Sequence, residues 1–125
     1  MEVFRLSKGW PSEEKFSLTD QIRRSSRSVC TNLREAWSKR RYEAHFLSKL
    51  TDCDGENGET DTWLDFARDC KYLSAEDHTR LSDESAQIGA MLGSVIKNPS
   101  PFLIRPLTSA LRPPPSALRP PTSDP

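Results

Sequence analysis

Nine of the ten prolines in this chain lie at or beyond Pro99, and only Pro11 precedes them. Proline removes a backbone donor and its ring clashes with the preceding turn, so a segment dense in it cannot be helical. The proline-poor segment before it is free to be. Residues 1–98 therefore read as one helical domain, and 99–125 as an extended, polyproline-II-like, disordered tail. The tail repeats Ser-Ala-Leu-Arg-Pro-Pro at 109–114 and 116–121. Its seven-residue period cannot be a coiled coil, because proline interrupts every turn. An Arg-x-x-Pro-x-x-Pro docking motif also fails, since Arg112 and Pro115 are followed by Leu118.

Upstream, apolar or small residues recur at spacings of three and four. Leu18, Ile22, Ser25/Ser26, Val29, Leu33 and Ala36/Trp37 form one stripe, with Ser17 as a cap and Asp20 in the positive first turn. Ser74 to Asp77 forms a second capping box, ahead of a stripe of His78, Leu81, Ser85, Ile88, Leu92 and Val95. Gly89 and Gly93 lie in that helix, each costing about 1 kcal/mol against alanine, which suggests close backbone packing as compensation. Asn98-Pro99 ends it. Between the two lies a conflict. Thr51 to Asp61 is rich in loop formers, yet positions 46, 50, 53, 57, 60, 64 and 67 keep helical phase through it. Local composition and periodicity leave the choice open.

Charge is balanced overall but divided along the chain. Residues 1–49 carry 11 Lys+Arg against 6 Asp+Glu, whereas residues 50–98 carry 4 against 11. Such a division suits ion pairs within or between subunits, or an anionic partner for the first half. No apolar run is long enough for a membrane span or an export signal. Cys30, Cys53 and Cys70 show no C-x-x-C pairing and read as reduced thiols, which makes the cytoplasm the expected compartment.

Sites for chemistry are scarce. Asp52-x-Asp54-x-Glu56 imitates the start of a calcium loop, but Asn57 and Trp63 stand where its glycine and bidentate glutamate belong. His45 and His78 are preceded three residues earlier by Tyr42 and Ala75, so no di-metal Glu-x-x-His pair exists. Neither histidine belongs to a recognisable nucleophile motif, and there is no Gly-rich phosphate loop. No enzyme, metal or cofactor is expected. The one candidate site is basic. Arg23, Arg27 and Arg34 fall within about 40° of one another around a helix, with Arg24 beside them. Lys39, Arg40 and Arg41 follow at the junction to the next helix. Guanidinium groups match phosphate oxygens, and they match carboxylates equally well.

These segments resemble a known family. Leu18-Thr-Asp-Gln-Ile-Arg-Arg-Ser-Ser-Arg-Ser-Val29, Asn32-Leu-x-Glu35-x-Trp37 and Lys39-Arg-Arg-Tyr-Glu-Ala-His-Phe-Leu-Ser-Lys-Leu50 resemble the four-helix-bundle proteins called 23S rRNA intervening-sequence proteins. Trp63-Leu-Asp-Phe-Ala-Arg-Asp-Cys-Lys-Tyr-Leu-Ser74 and Ile88-Gly-x-Met-Leu-Gly93 continue the likeness, which spans roughly residues 3 to 98. The resemblance implies an antiparallel bundle, a homopentamer, and a helix running unbroken through Asp52–Asp61. It also implies kinship with the accessory variability determinant of diversity-generating retroelements, which binds nucleic acid and a reverse transcriptase.

The chain departs from that pattern. Cys30 and Thr31-Asn-Leu-Arg-Glu-Ala36 stand where the family often has Pro and Ser-Asn-Ile-Ala-Glu-Gly. Val3 to Pro11 resembles only the end of the family's first helix, so one wall of the bundle is expected to be short: either the sequence is a fragment of a longer protein, or its apolar faces are covered by association.

The expected fold is all-α, an antiparallel up-down bundle with a truncated first helix, and helices at about 2–8, 18–38, 40–71 and 75–97. The expected function is a non-enzymatic oligomeric scaffold with RNA or DNA as a candidate partner of the Arg/Lys face. The alternative is a protein-binding adaptor without nucleic-acid affinity.

Overall fold

Residues 2–104 are described by the computed structural model; Met1 and residues 105–125, which hold most of the sequence-predicted tail, lie outside that range. Four α-helices follow in order: α1 (Glu2–Ser7), α2 (Asp20–Ser38), α3 (Glu43–Asp69) and α4 (Ala75–Lys97). A 3-10 turn at Ser12–Glu14 and a π-helical turn at Lys15–Thr19 lead into α2. Ser17 does not cap that helix. Its hydroxyl lies inside the π turn and donates to Glu14 Oε1 at 2.6 Å. Ser74 does cap α4, accepting from the Asp77 N–H at 3.0 Å.

The conflict in the middle of the chain is resolved in favour of periodicity. α3 runs through Gly55 and Gly58, and the residues it buries are Phe46, Leu50, Cys53, Asn57, Thr60, Leu64 and Ala67. A stripe seven residues long offers more burial than two glycines cost, so tertiary packing overrides local propensity. α3 starts at Glu43 rather than near Arg40, because Lys39 and Tyr42 close a turn, with Lys39 N–H on the Ala36 carbonyl and Tyr42 N–H on the Lys39 carbonyl, both 2.9 Å. It stops in a Schellman arrangement. Lys71 takes φ 65°, while the N–H groups of Lys71 and Tyr72 reach back to the carbonyls of Arg68 and Ala67.

α3 is the central helix, antiparallel to both α2 and α4. Thr60 donates to Ser25 Oγ at 2.8 Å and Cys53 Sγ to the Val29 carbonyl at 3.1 Å, fixing its register on α2. Asn57 with Ser85, and Asp65 with His78, fix it on α4. The core falls into two clusters. One gathers Leu18, Ile22, Leu64, Leu73 and Leu81, with Val3, Leu6 and Trp10 packed against it. The other gathers Ala36, Phe46, Leu50, Cys53 and Leu92, with Val29, Ile88 and Leu103 around it. Ser25, Thr60, Asn57 and Ser85 make a buried polar layer between them.

α1 covers only the first cluster. Glu2 pairs with Arg80 of α4 at 3.0 Å, and Ser7 meets Arg23 of α2, so α1 bridges those helices at one end of their seam. Among the described residues, Leu33 and Trp37 of α2 remain 45% and 46% exposed. Two other expectations need correction. An added Cβ at Gly93 would meet nothing within 4 Å, so that glycine has no close packing to explain it. Residues 99–104 are packed rather than extended tail: Ser100–Phe102 form a 3-10 turn, Leu103 joins the second cluster, and the Ile104 N–H bonds the Arg40 carbonyl at 3.0 Å.

Candidate nucleic-acid interface

The basic residues of the first half separate into three environments. Arg23 and Arg27 stand one turn apart on α2 and share the ring of Phe4 in α1, with guanidinium carbons 4.4 and 5.4 Å from its centroid. Lys8 approaches the same ring, its Nζ at 5.1 Å. Arg23 is further oriented by donation from Nε to Ser7 Oγ at 2.8 Å. A π face attracts a cation without neutralising it, so the remaining N–H groups stay available to an anion. Neither arginine forms an ion pair among the described residues. Both border an open concavity of about 600 Å³, whose other walls include Gln21, Ser28 and Thr31.

Arg24 lines the same concavity, as does Asp20, but its guanidinium is already engaged. Its Nη1 lies 3.1 Å from both carboxylate oxygens of Glu56, and its Nη2 contacts Glu59. The indole N–H of Trp63, and after it Arg24, holds the Glu59 carboxyl below its ordinary range. Lys49 of α3 pairs with Glu35 of α2 at 3.0 Å. Part of the charge division along the chain is thus used internally, stitching α2 to α3.

Arg34, Lys39 and Arg41 are exposed and make no ion pair among the described residues. Arg34 continues the Arg23–Arg27 line. The eleven helical steps from 23 to 34 extend about 16 Å, a length over which one duplex strand presents about five phosphates. Arg40 lies over the half-exposed Trp37, its guanidinium 3.8 Å from the ring centroid and its Nε donating to the Trp37 carbonyl at 2.8 Å, and like Arg23 it makes no ion pair among the described residues. The structure therefore brings together Arg23, Arg27 and Arg34 along α2, leaves Lys39, Arg40 and Arg41 at the α2–α3 turn, and engages Arg24 with Glu56 and Glu59. Phe4, which organises the cluster, carries no sequence signal beyond its place in a short helix.

Other groups capable of chemistry are engaged structurally. His78 Nε2 lies 2.7 Å from Asp65 Oδ1 and 3.4 Å from Arg68, and His45 packs against Tyr42 with centroids 5.8 Å apart. Burial pushes the Cys53 thiol up to about 11. Among the described residues no group of three His, Cys, Asp or Glu side chains could hold a metal, and no helix is long and apolar enough to cross a membrane.

Comparison with known proteins places these observations in a lineage. The family model described as 23S rRNA-intervening sequence protein matches residues 1–94. A crystal structure of a protein of unknown function from the S23 ribosomal protein family of Bacteroides thetaiotaomicron is similar at TM-score 0.68 and 28% identity, covering 78% of this chain and 87% of that one. No curated protein matches.

Proposed function

Since the chain belongs to the 23S rRNA-intervening sequence protein family, we propose that it is a non-enzymatic, self-associating helical scaffold that contacts RNA or DNA phosphates through one edge of α2. The observation that carries this reading is the shared placement of Arg23 and Arg27 on Phe4, with no carboxylate partner among the described residues. Both guanidinium groups are held in place before any anion arrives, which lowers the ordering cost of binding. Arg34 extends the row, and Lys39 and Arg41 continue it at the turn. Positive charge alone would suit many anions. A linear row on a helix edge suits a polymer of phosphates. Self-association, as a pentamer by family likeness, would repeat the row around a symmetric assembly and add the affinities of its copies. The cytoplasm, where RNA is abundant, is the proposed location.

Titration of labelled random-sequence single-stranded RNA at several salt concentrations tests this. Three phosphate contacts per protomer predict a slope of log K against log salt near −2, roughly a 20-fold loss between 50 and 200 mM. Absence of binding at low salt would leave the adaptor reading instead.

A further inference from the structure

The concavity beside Phe4 is basic, but not uniformly so. Asp20 opens α2 and lines it together with Gln21, Arg23, Arg24 and Arg27. At 100° per residue, Asp20, Arg27 and Arg34 fall within about 40° of one another on one stripe of α2. A carboxylate therefore heads the row of guanidinium groups. Asp20 is exposed and makes no ion pair among the described residues, although two arginines follow it one turn later. Both are engaged elsewhere, Arg23 with Ser7 and Phe4, Arg24 with Glu56 and Glu59. This end of α2 lies against the close of α1 at Ser7 rather than against its start.

A phosphate would be repelled by Asp20, whereas a hydrogen-bond donor would be held. Resting on the phosphate-binding reading of the α2 edge, we propose that this concavity takes one unpaired guanine base, with Asp20 as the specificity-determining residue. The two oxygens of a carboxylate accept from two adjacent donors. Among the four bases only guanine sets two donors side by side on its pairing edge, N1–H and the N2 amino group. Adenine, cytosine and uracil each place an acceptor next to the donor, and that acceptor would meet a carboxylate oxygen. Arg23 supplies a stacking surface, since its guanidinium lies over Phe4 and borders the concavity, and unpaired bases stack on guanidinium planes as they do on aromatic rings. Seven helical steps, about 10 Å, separate Asp20 from Arg27. That span is comparable to the reach from a nucleotide's phosphate to the pairing edge of its base, so the phosphate of the same nucleotide falls to Arg27.

Gln21 completes the match. Its Oε1 accepts from Arg24 Nε at 3.3 Å, which leaves its amide N–H groups to donate to guanine O6. A guanine in a duplex does not fit, because its pairing edge is already spent on cytosine. Asp20 also suits the positive end of α2, but that role needs only its charge and makes no distinction among bases.

Short oligouridine strands carrying one central guanosine, adenosine, cytidine or inosine test the site, because all of them present the same phosphates. Wild type should bind the guanosine strand roughly fivefold or more tightly than the others, the lower end of discrimination by a bidentate pair. Inosine lacks the amino group and should lose most of that gain with the protein unchanged. Asp20→Asn presents one acceptor and one donor, so the guanosine preference should vanish or pass to adenosine or cytidine, while plain oligouridine is still bound with the wild-type salt slope. Equal binding of all strands with a steep salt slope would overturn the guanine site and leave the phosphate row standing. A guanosine preference that survives Asp20→Asn, or is matched by inosine, would overturn it as well. No binding of any strand at low salt would remove both readings.

Discussion

Asn57 of α3 and Ser85 of α4 exchange hydrogen bonds across the buried middle of the bundle. The Asn57 amide donates to the Ser85 carbonyl at 2.9 Å, and the Ser85 hydroxyl donates to Asn57 Oδ1 at 3.2 Å. Removing one member leaves the other buried without its partner, which costs about 1–3 kcal/mol. Asn57→Ala should lower unfolding stability by that amount in a urea titration, with the helical circular dichroism signal retained. A stability equal to wild type would show that the pair contributes nothing.

Gly55 and Gly58 lie inside α3 with open space around each Cβ position. Alanine at either should add about 0.5–1 kcal/mol, because it restricts the unfolded chain and meets no neighbour. Thermal unfolding of the two single variants and the double checks this. Destabilisation would mean that the segment is not helical in solution.

That stretch also shows which parts of the fold were readable in the residues. The stripe from Phe46 to Ala67 kept helical phase against a loop-like composition and needed the family resemblance to decide for helix, whereas the Ser74 cap and α4 stripe were plain. The candidate site was only half legible. A helical wheel puts Arg23, Arg27 and Arg34 together, but it cannot show that Arg24 meets Glu56, a residue 32 positions away on another helix. Nor can it show that Phe4 gathers two arginines, or that Leu103 and Ile104 return to the α2–α3 turn. Those contacts depend on how helices are placed, which periodicity within one helix does not encode.

The three cysteines should differ in reactivity. Cys53 is buried, and burial, with smaller contributions from Asp54 and Cys30, pushes its thiol up to about 11, whereas Cys30 and Cys70 are exposed. The thiolate is the reactive form, so a thiol reagent near neutral pH should modify two cysteines in the native protein and the third only after denaturation. Rapid modification of all three would contradict the packing of α3 on α2.

Acid should weaken the fold in a defined window. Glu2, Glu14 and Glu59 all sit below the ordinary glutamate value of 4.5, chiefly through hydrogen bonds from Arg5, Ser17 and Trp63 respectively. A carboxyl whose folded value is depressed binds fewer protons folded than unfolded. Its stabilisation is complete above the unfolded value and is lost as pH falls through the folded one. Urea midpoints should therefore be flat from about pH 7 to pH 5 and decline below about 4.5, modestly because the groups are solvent-accessible. An unchanged midpoint at about pH 3 would show that these bonds do not form in solution.

The sharpest comparison is between arginines that the structure treats differently. Arg27 and Arg34 have no carboxylate partner among the described residues, and Arg24 is held by Glu56 and Glu59. The RNA-binding salt slope should be measured for wild type, Arg24→Gln, and the double variant Arg27→Gln/Arg34→Gln, with oligomer size followed by light scattering. Losing two phosphate contacts per protomer should make the double variant's slope shallower by about 1.4 for single-stranded RNA and weaken binding at low salt. Arg24→Gln should leave the slope unchanged, and neither variant should alter oligomer size. Equal slopes for wild type and the double variant, or disassembly of the double variant with no RNA binding by wild type at low salt, would show that the α2 edge is an assembly contact and not a phosphate-binding surface.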